Sequence, residues 1–236
     1  MISGLKPKAV IFVTAFLMIS FIGLPSALGG LKEDEGSLVR TGIPILVYHR
    51  FGPVVADSMT VTTHQFGSHV KYLKEAGYTI IPLRHLVDYH LGKRKALPYR
   101  SVAITVDDGH KSVYTDLFPL IKKHQIPVTL FLYPSAISNA SYAMTWDQLR
   151  EIQTSEFLDF QGHTYWHPNF KNERKKLPPR DYENFVVMQL KKSKEKLEKE
   201  LGTKVDMLSW PFGIYDEDLI RRAINLGYVS AFTIER

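Results

Sequence analysis

Ser101-Val102-Ala103-Ile104-Thr105-Val106-Asp107-Asp108-Gly109 decides how the rest of this chain is read. The run from Ser101 to Val106 is largely apolar, as a buried strand is, and it ends directly in two carboxylates and a glycine. Barrel enzymes keep their chemistry where strands end in polar residues. Three other segments repeat the arrangement. Ile45-Leu46-Val47-Tyr48 leads to His49, Phe157 to Gln161 leads to His163-Thr164-Tyr165-Trp166-His167-Pro168, and the run from Val205 leads to Ser209-Trp210-Pro211-Phe212-Gly213.

Outward from these segments, strands and helices alternate. Strands are expected over Ile43–Tyr48, Thr79–Pro82, Ser101–Val106, Val128–Leu132, Phe157–Gln161, Val205–Trp210 and Tyr228–Ile234. Helices are expected over Thr63–Ala76, stopped by Gly77, and over Leu83–Leu91, Val113–His124, Asp181–Leu201 and Asp216–Leu226. Thr145-Trp146-Asp147-Gln148 has capping-box spacing and opens a further helix to about Thr154. Short apolar strands alternating with helices imply an α/β protein with a parallel sheet covered outside by helices. With no glycine-rich phosphate loop, the expected fold is a single distorted (β/α) barrel of about seven parallel strands, closed or nearly so, with outer helices.

At 236 residues, 44% hydrophobic and 23% charged, the chain is long enough for one well-buried core, and neither a fibrous nor a disordered class fits. Cysteine is absent, which removes thiolate metal sites, disulfides and thiol nucleophiles and leaves His and carboxylate as strong ligands. Lys6 and Lys8, the apolar run Ala9–Leu24 and the small residues to Gly30 have the order of a secretory signal. Residues 1–30 are therefore expected to be a signal peptide, or an N-terminal anchor, and 31–42 a tether to a catalytic domain over 43–236. Membrane contact is expected only through that N-terminal segment, and the location is secreted, periplasmic or cell-envelope associated. Without Lys6 and Lys8 the formal charge falls from +6 to +4. Glutamates interleave the lysines of 191–204, as on a solvated helix face, and Lys171–Lys176 reads as a solvated loop, so no nucleic-acid partner is expected.

Neighbouring side chains at a strand end point in different directions, so one of Asp107 and Asp108 can bind a metal while the other faces a reacting water. His163 and His167, four apart, can present two imidazoles on one side of a helical turn or tight loop. Two neutral imidazoles and one carboxylate suit zinc, nickel, cobalt or iron and leave coordination positions open. His49 has the chemistry to protonate a leaving amine. In Trp210-Pro211-Phe212-Gly213 the proline fixes a loop, the aromatics can face a sugar, and backbone N–H groups near Phe212 can donate to an oxyanion. The remaining histidines lack a convincing partner, with His110 a near miss beside Gly109.

Thr105-Val106-Asp107-Asp108-Gly109 resembles the first motif of the polysaccharide deacetylases (NodB homology, carbohydrate esterase family 4), and His163–Pro168 resembles their His-Ser/Thr-x-x-His-Pro motif. The resemblance spans about Ile43 to Ile234. It implies that Asp107 is the general base, that Asp108, His163 and His167 hold a divalent metal, commonly zinc, and that the Phe212 N–H lies in the oxyanion hole. Ser209 stands where the family's groove motif has Arg, which leaves the group that orients Asp107 unassigned. The family's late Leu-x-x-His has no match near the C-terminus, but Leu46-Val47-Tyr48-His49 stands near the start. That order resembles the circularly permuted poly-β-1,6-N-acetylglucosamine deacetylases and makes His49 the acid. The implied function is metal-dependent N-deacetylation of an N-acetylglucosamine polysaccharide. Alternatives are a peptidoglycan or chitin-oligomer deacetylase, an O-acetyl xylan esterase, or a non-catalytic glycan-binding domain.

Overall fold

Alternation along one central strand sets out the architecture of residues 42–234, the part of the chain that the computed structural model describes. In chain order the elements are β1 (Ile45–Tyr48), β2 (Arg50–Gly52), β3 (Thr60–Thr62), α1 (Thr63–Glu75), β4 (Thr79–Ile80), α2 (Leu83–His90) and β5 (Ser101–Asp108). A π-helical turn (Val113–Leu117) leads into α3 (Phe118–His124), followed by β6 (Val128–Leu132), α4 (Trp146–Gln153), β7 (Leu158–Gly162), α5 (Phe170–Lys176) and α6 (Pro179–Leu201). β8 (Met207–Ser209), a short 3-10 turn (Pro211–Gly213), α7 (Glu217–Asn225) and β9 (Ser230–Phe232) complete it.

Seven strands form one parallel sheet in the order β1-β5-β6-β7-β8-β9, with β4 beside the start of β5 and β1 beside its remainder. Among the described residues β9 does not pair with β1, so the curled sheet stops short of closure as a distorted barrel. Side chains of a strand alternate between faces. Val102, Ile104 and Val106 of β5 pack outward with Phe66 and Val70 of α1, Ile121 of α3, Leu149 of α4 and Val186 and Leu190 of α6. Ala103 turns inward with Ile45, Phe131, Met207 and Phe232. Thr105 and Asp107 continue that inward row, facing Val47 and Ser209. Each large side chain buried in these layers contributes about 1.5–3 kcal/mol.

Local signals account for most boundaries. The capping boxes Thr62–Gln65 and Thr145–Gln148 both form, opening α1 and α4. α6 begins at Pro179, two residues before the expected Asp181, because proline suits the first helical turn. The helix expected from Val113 opens as a π turn, since Pro119 has no N–H to donate back one turn. Two features differ from expectation. The short parallel pair β2–β3 is too brief to carry a period, and α5 occupies the lysine-rich run read as loop, started by Asn169, whose side chain accepts from the Asn172 N–H at 3.0 Å. The expected signal segment 1–30 and residues 31–41 of the tether lie outside the described residues. Among those described, no helix is long and apolar enough to cross a membrane.

β7 and β8 share one ladder position, Gly162 with Leu208, and a side chain extends the joint. Gln161, fully buried, accepts from the Asp206 and Met207 N–H groups at 3.1 and 2.9 Å. It also donates to Asp159 and to the Lys204 carbonyl at 2.9 and 3.2 Å. The strand ends that carry His163 and Ser209 are thereby held side by side.

Candidate active site

Had β5 continued regularly, Asp107 would face the barrel interior and Asp108 the helices. The backbone turns left-handed instead, with φ of 75° at Asp108 and 78° at Gly109, and both carboxylates end up at one site. A Cβ on Gly109 would stand 2.9 Å from Leu132 Cδ2, so the turn requires glycine for space as well as for φ. Thr164, His167 and Phe212 also have positive φ, so four of the seven such non-glycine residues described are in the motif loops. Strain of this kind collects where the surrounding structure holds it for use.

His163 follows β7 directly and is buried. Its Nδ1 donates to the Ser209 carbonyl at 2.7 Å, which leaves Nε2 as the nitrogen with a free lone pair. Nε2 lies 3.7 Å from Asp108 Oδ1, and His167 Nε2 lies 3.6 Å from the same oxygen. The loop between the histidines is not helical. It is tied down by Gln189 of α6, whose Oε1 accepts from the Tyr165 and Trp166 N–H groups at 3.2 and 3.0 Å, and by Thr164 Oγ1, which accepts from the His167 N–H at 3.2 Å.

Burial holds the His163 imidazole below its ordinary range, against the opposing pull of Asp108 and of the Ser209 carbonyl. Burial, reinforced by His163, pushes His167 down to about 4, with Asp108 again opposing. Both rings are therefore neutral at pH 7, the form that binds metal. Burial pushes Asp107 up to about 7; His49 and the Ser209 hydroxyl lower it, and Asp108 raises it.

A divalent cation fits this set. One ligand atom from each of Asp108, His163 and His167 lies within 4.8 Å of the other two. Ligands bound at about 2.1 Å in a tetrahedron stand about 3.4 Å apart, so the observed 3.6 and 3.7 Å need little adjustment. Asp108 Oδ1 is buried and accepts no hydrogen bond from the described residues, as suits an oxygen directed at a cation.

Asp107 lies beside the set, with Oδ2 3.9 Å from His163 Nε2 and accepting from Ser209 Oγ at 2.9 Å. His49 stands one residue beyond the paired Tyr48 and Val106, at the strand end beside the one that carries Asp107. In the loop after β8, Phe212 is 56% exposed and its ring lies edge-on to His167 at 4.7 Å. The Gly213 and Ile214 N–H groups are used within the turn, donating to Trp210 and Pro211, while Phe212 has no such bond. Pro211 and Gly213 are buried supports of that turn. Trp210 corrects the expectation of an aromatic facing a sugar. It is 3% exposed and packs against Phe170 at 5.9 Å, because an indole at that helix-facing position gains more from the core than from the groove.

Residue-by-residue reading missed two side chains. Tyr133 packs on His167 at 5.3 Å and bonds Tyr142 through its hydroxyl at 2.6 Å. It sits one residue past β6, so the strand-end rule that found His49 also reaches it. Gln189 is one of two polar residues, with Ser193, on the mostly apolar buried stripe of α6, and that contrast is its signal. His110 stacks on Tyr142 and bonds Ser112 Oγ at 2.8 Å, away from the ligand set.

Comparison with known proteins agrees with this geometry. The sequence model of the polysaccharide deacetylase family matches residues 94–231, more than half of the chain. The chain belongs to that family and is a hydrolase of amide bonds in N-acetylated polysaccharide. The poly-β-1,6-N-acetyl-D-glucosamine N-deacetylase of Staphylococcus epidermidis is 24% identical over 254 residues, taking in 98% of this chain and 87% of that protein. The protein of the same name from Staphylococcus aureus is 26% identical over 181 residues, 75% of this chain and 61% of its own length. Among solved structures, IcaB from Ammonifex degensii shares the fold with a TM-score of 0.71 at 23% identity, covering 82% of this chain and 84% of that one.

Proposed function

We propose that this chain is a metal-dependent N-deacetylase of poly-β-1,6-N-acetylglucosamine or another cell-envelope glycan. The observation that carries the reading is the convergence of Asp108, His163 and His167 beside the buried Asp107. The named relatives and the permuted position of His49 support the polymer. Neutral nitrogen donors with one carboxylate favour zinc. The export-like order of residues 1–30 supports an extracytoplasmic location, with the catalytic domain over 43–236.

A divalent cation held by Asp108, His163 and His167 would polarise the acetyl carbonyl and acidify a water. Asp107 takes the proton of the attacking water as its oxygen adds to the acetyl carbon. The Phe212 N–H donates to the carbonyl oxygen as it gains charge. His49 then protonates the sugar nitrogen as the C–N bond breaks, so acetate and a free amine leave.

The test is acetate release by the metal-loaded protein from oligomers of β-1,6-N-acetylglucosamine, chitin oligomers, peptidoglycan and O-acetylated xylan, before and after chelation and zinc return. Release from the β-1,6 oligomers that chelation abolishes and zinc restores is expected. Release only from O-acetyl xylan, or release unaffected by chelation, overturns the reading.

A further inference from the structure

We infer that Ser209 is the positioning residue for Asp107, taking by a neutral hydroxyl the place that a guanidinium holds in the family motif. The inference rests on the reading of Asp107 as base and names what holds it. Ser209 makes two bonds in opposite senses. Its Oγ donates to Asp107 Oδ2 at 2.9 Å, and its carbonyl accepts from His163 Nδ1 at 2.7 Å. One residue at the end of β8 therefore sets both the rotation of the base and the ring of a metal ligand.

Ser209 and Asp107 are both buried, at 8% and 6% exposure, so water does not readily stand in for the hydroxyl. With Oδ2 pinned, Asp107 Oδ1 has no bond from the described residues and is the oxygen with both lone pairs open to the incoming proton. The inward row explains the choice of residue. Ser209 shares the barrel interior with Ile45, Val47, Phe131 and Phe232, and an arginine there would have to thread a charged chain through this apolar space. Because β8 turns Ser209 directly at Asp107, a short side chain makes the contact.

The experiment compares the metal-loaded wild type with Ser209→Ala, Ser209→Cys, Ser209→Thr and Asp107→Asn. Ser209→Ala keeps the carbonyl that orients His163, so zinc affinity is expected within about threefold of wild type while kcat falls about 10- to 100-fold with KM unchanged. Ser209→Cys, close in volume but a poor donor, is expected to lose rate in the same way, and Ser209→Thr to recover it to within about fivefold. In the metal-free protein the melting-temperature shifts of Ser209→Ala and Asp107→Asn, measured singly and in the double variant that carries both, are expected to be non-additive. Undiminished kcat in Ser209→Ala, equal losses in Ala, Cys and Thr, or additive melting shifts overturn the inference alone if Asp107→Asn is inactive. An active Asp107→Asn overturns the catalytic reading and the inference with it.

Discussion

Asp107→Asn should stabilise the metal-free protein at alkaline pH while abolishing the activity of the metal-loaded protein. The Asp107 carboxyl, at 3.8 in an open chain, is pushed up to about 7 by burial. The native state therefore binds its proton more tightly than the unfolded state does, and stability falls as pH rises through the interval between these values. Full ionisation withholds about 4 kcal/mol from folding, of which about 3 kcal/mol is lost between pH 5 and pH 8.5. Asparagine carries no such dependence. Its amide brings a donor whose burial costs about 1–3 kcal/mol, but at both pH values alike. Melting curves in chelator should show variant minus wild type rising by roughly 6–12 °C from pH 5 to pH 8.5. Zinc should shrink that change, because a nearby cation favours the ionised carboxylate. A difference that is the same at both pH values in chelator would refute the assignment of a strained, buried base, and deacetylation by the variant within tenfold of wild type would refute its role.

The other expectations separate ligand, support and loop. His163→Ala and His167→Ala should each lose bound zinc by elemental analysis and with it activity, whereas Asp107→Asn keeps zinc; retention of stoichiometric zinc by both histidine variants contradicts the ligand set. Gln189→Leu strands two N–H groups of the histidine loop and should lower stability by about 2–4 kcal/mol and zinc affinity about 10- to 100-fold; unchanged zinc affinity by competition titration counts against loop anchoring. Gly213→Ala places a Cβ 2.5 Å from Ile234 Cγ1 at a φ of 67°. It should reduce kcat at least tenfold with zinc retained, through displacement of the Phe212 turn, and an unaltered kcat removes that turn from the mechanism.

Much of the site was legible because each ligand follows a strand whose apolar run announces it. β5, β6 and β7 lie close to their expected ranges, and strand ends in a parallel sheet face one way. Asp107 and Asp108 were legible as a pair serving one site, but not the means, since period-two alternation would separate them and the left-handed turn brings them together. Trp210 misled because an aromatic beside a proline reads the same in a groove wall and in a core. The bond from Ser209 to Asp107 spans 102 residues, and no local pattern encodes it. Nor does any pattern in α6 say that Gln189 reaches a loop rather than a buried water.

The features that assemble the site all oppose folding of the chain alone. Left-handed backbone at Asp108, Thr164 and His167 costs about 1–3 kcal/mol per residue, and the buried oxygens Asp107 Oδ1 and Asp108 Oδ1 receive no hydrogen bond from the described residues. Burial also presses both imidazoles toward neutrality and Asp107 toward its acid. A divalent cation held by Asp108, His163 and His167 would offset part of this cost, taking the lone pairs of the neutral rings, satisfying Asp108 and favouring the ionised Asp107. The seven-stranded sheet and its helical cover supply the stability against which this local cost is set. On the proposed function, catalytic form and metal binding would be linked: the burial that makes Asp107 a reluctant anion would be opposed by the cation's charge, and the carboxylate would become available as a base when the cation binds.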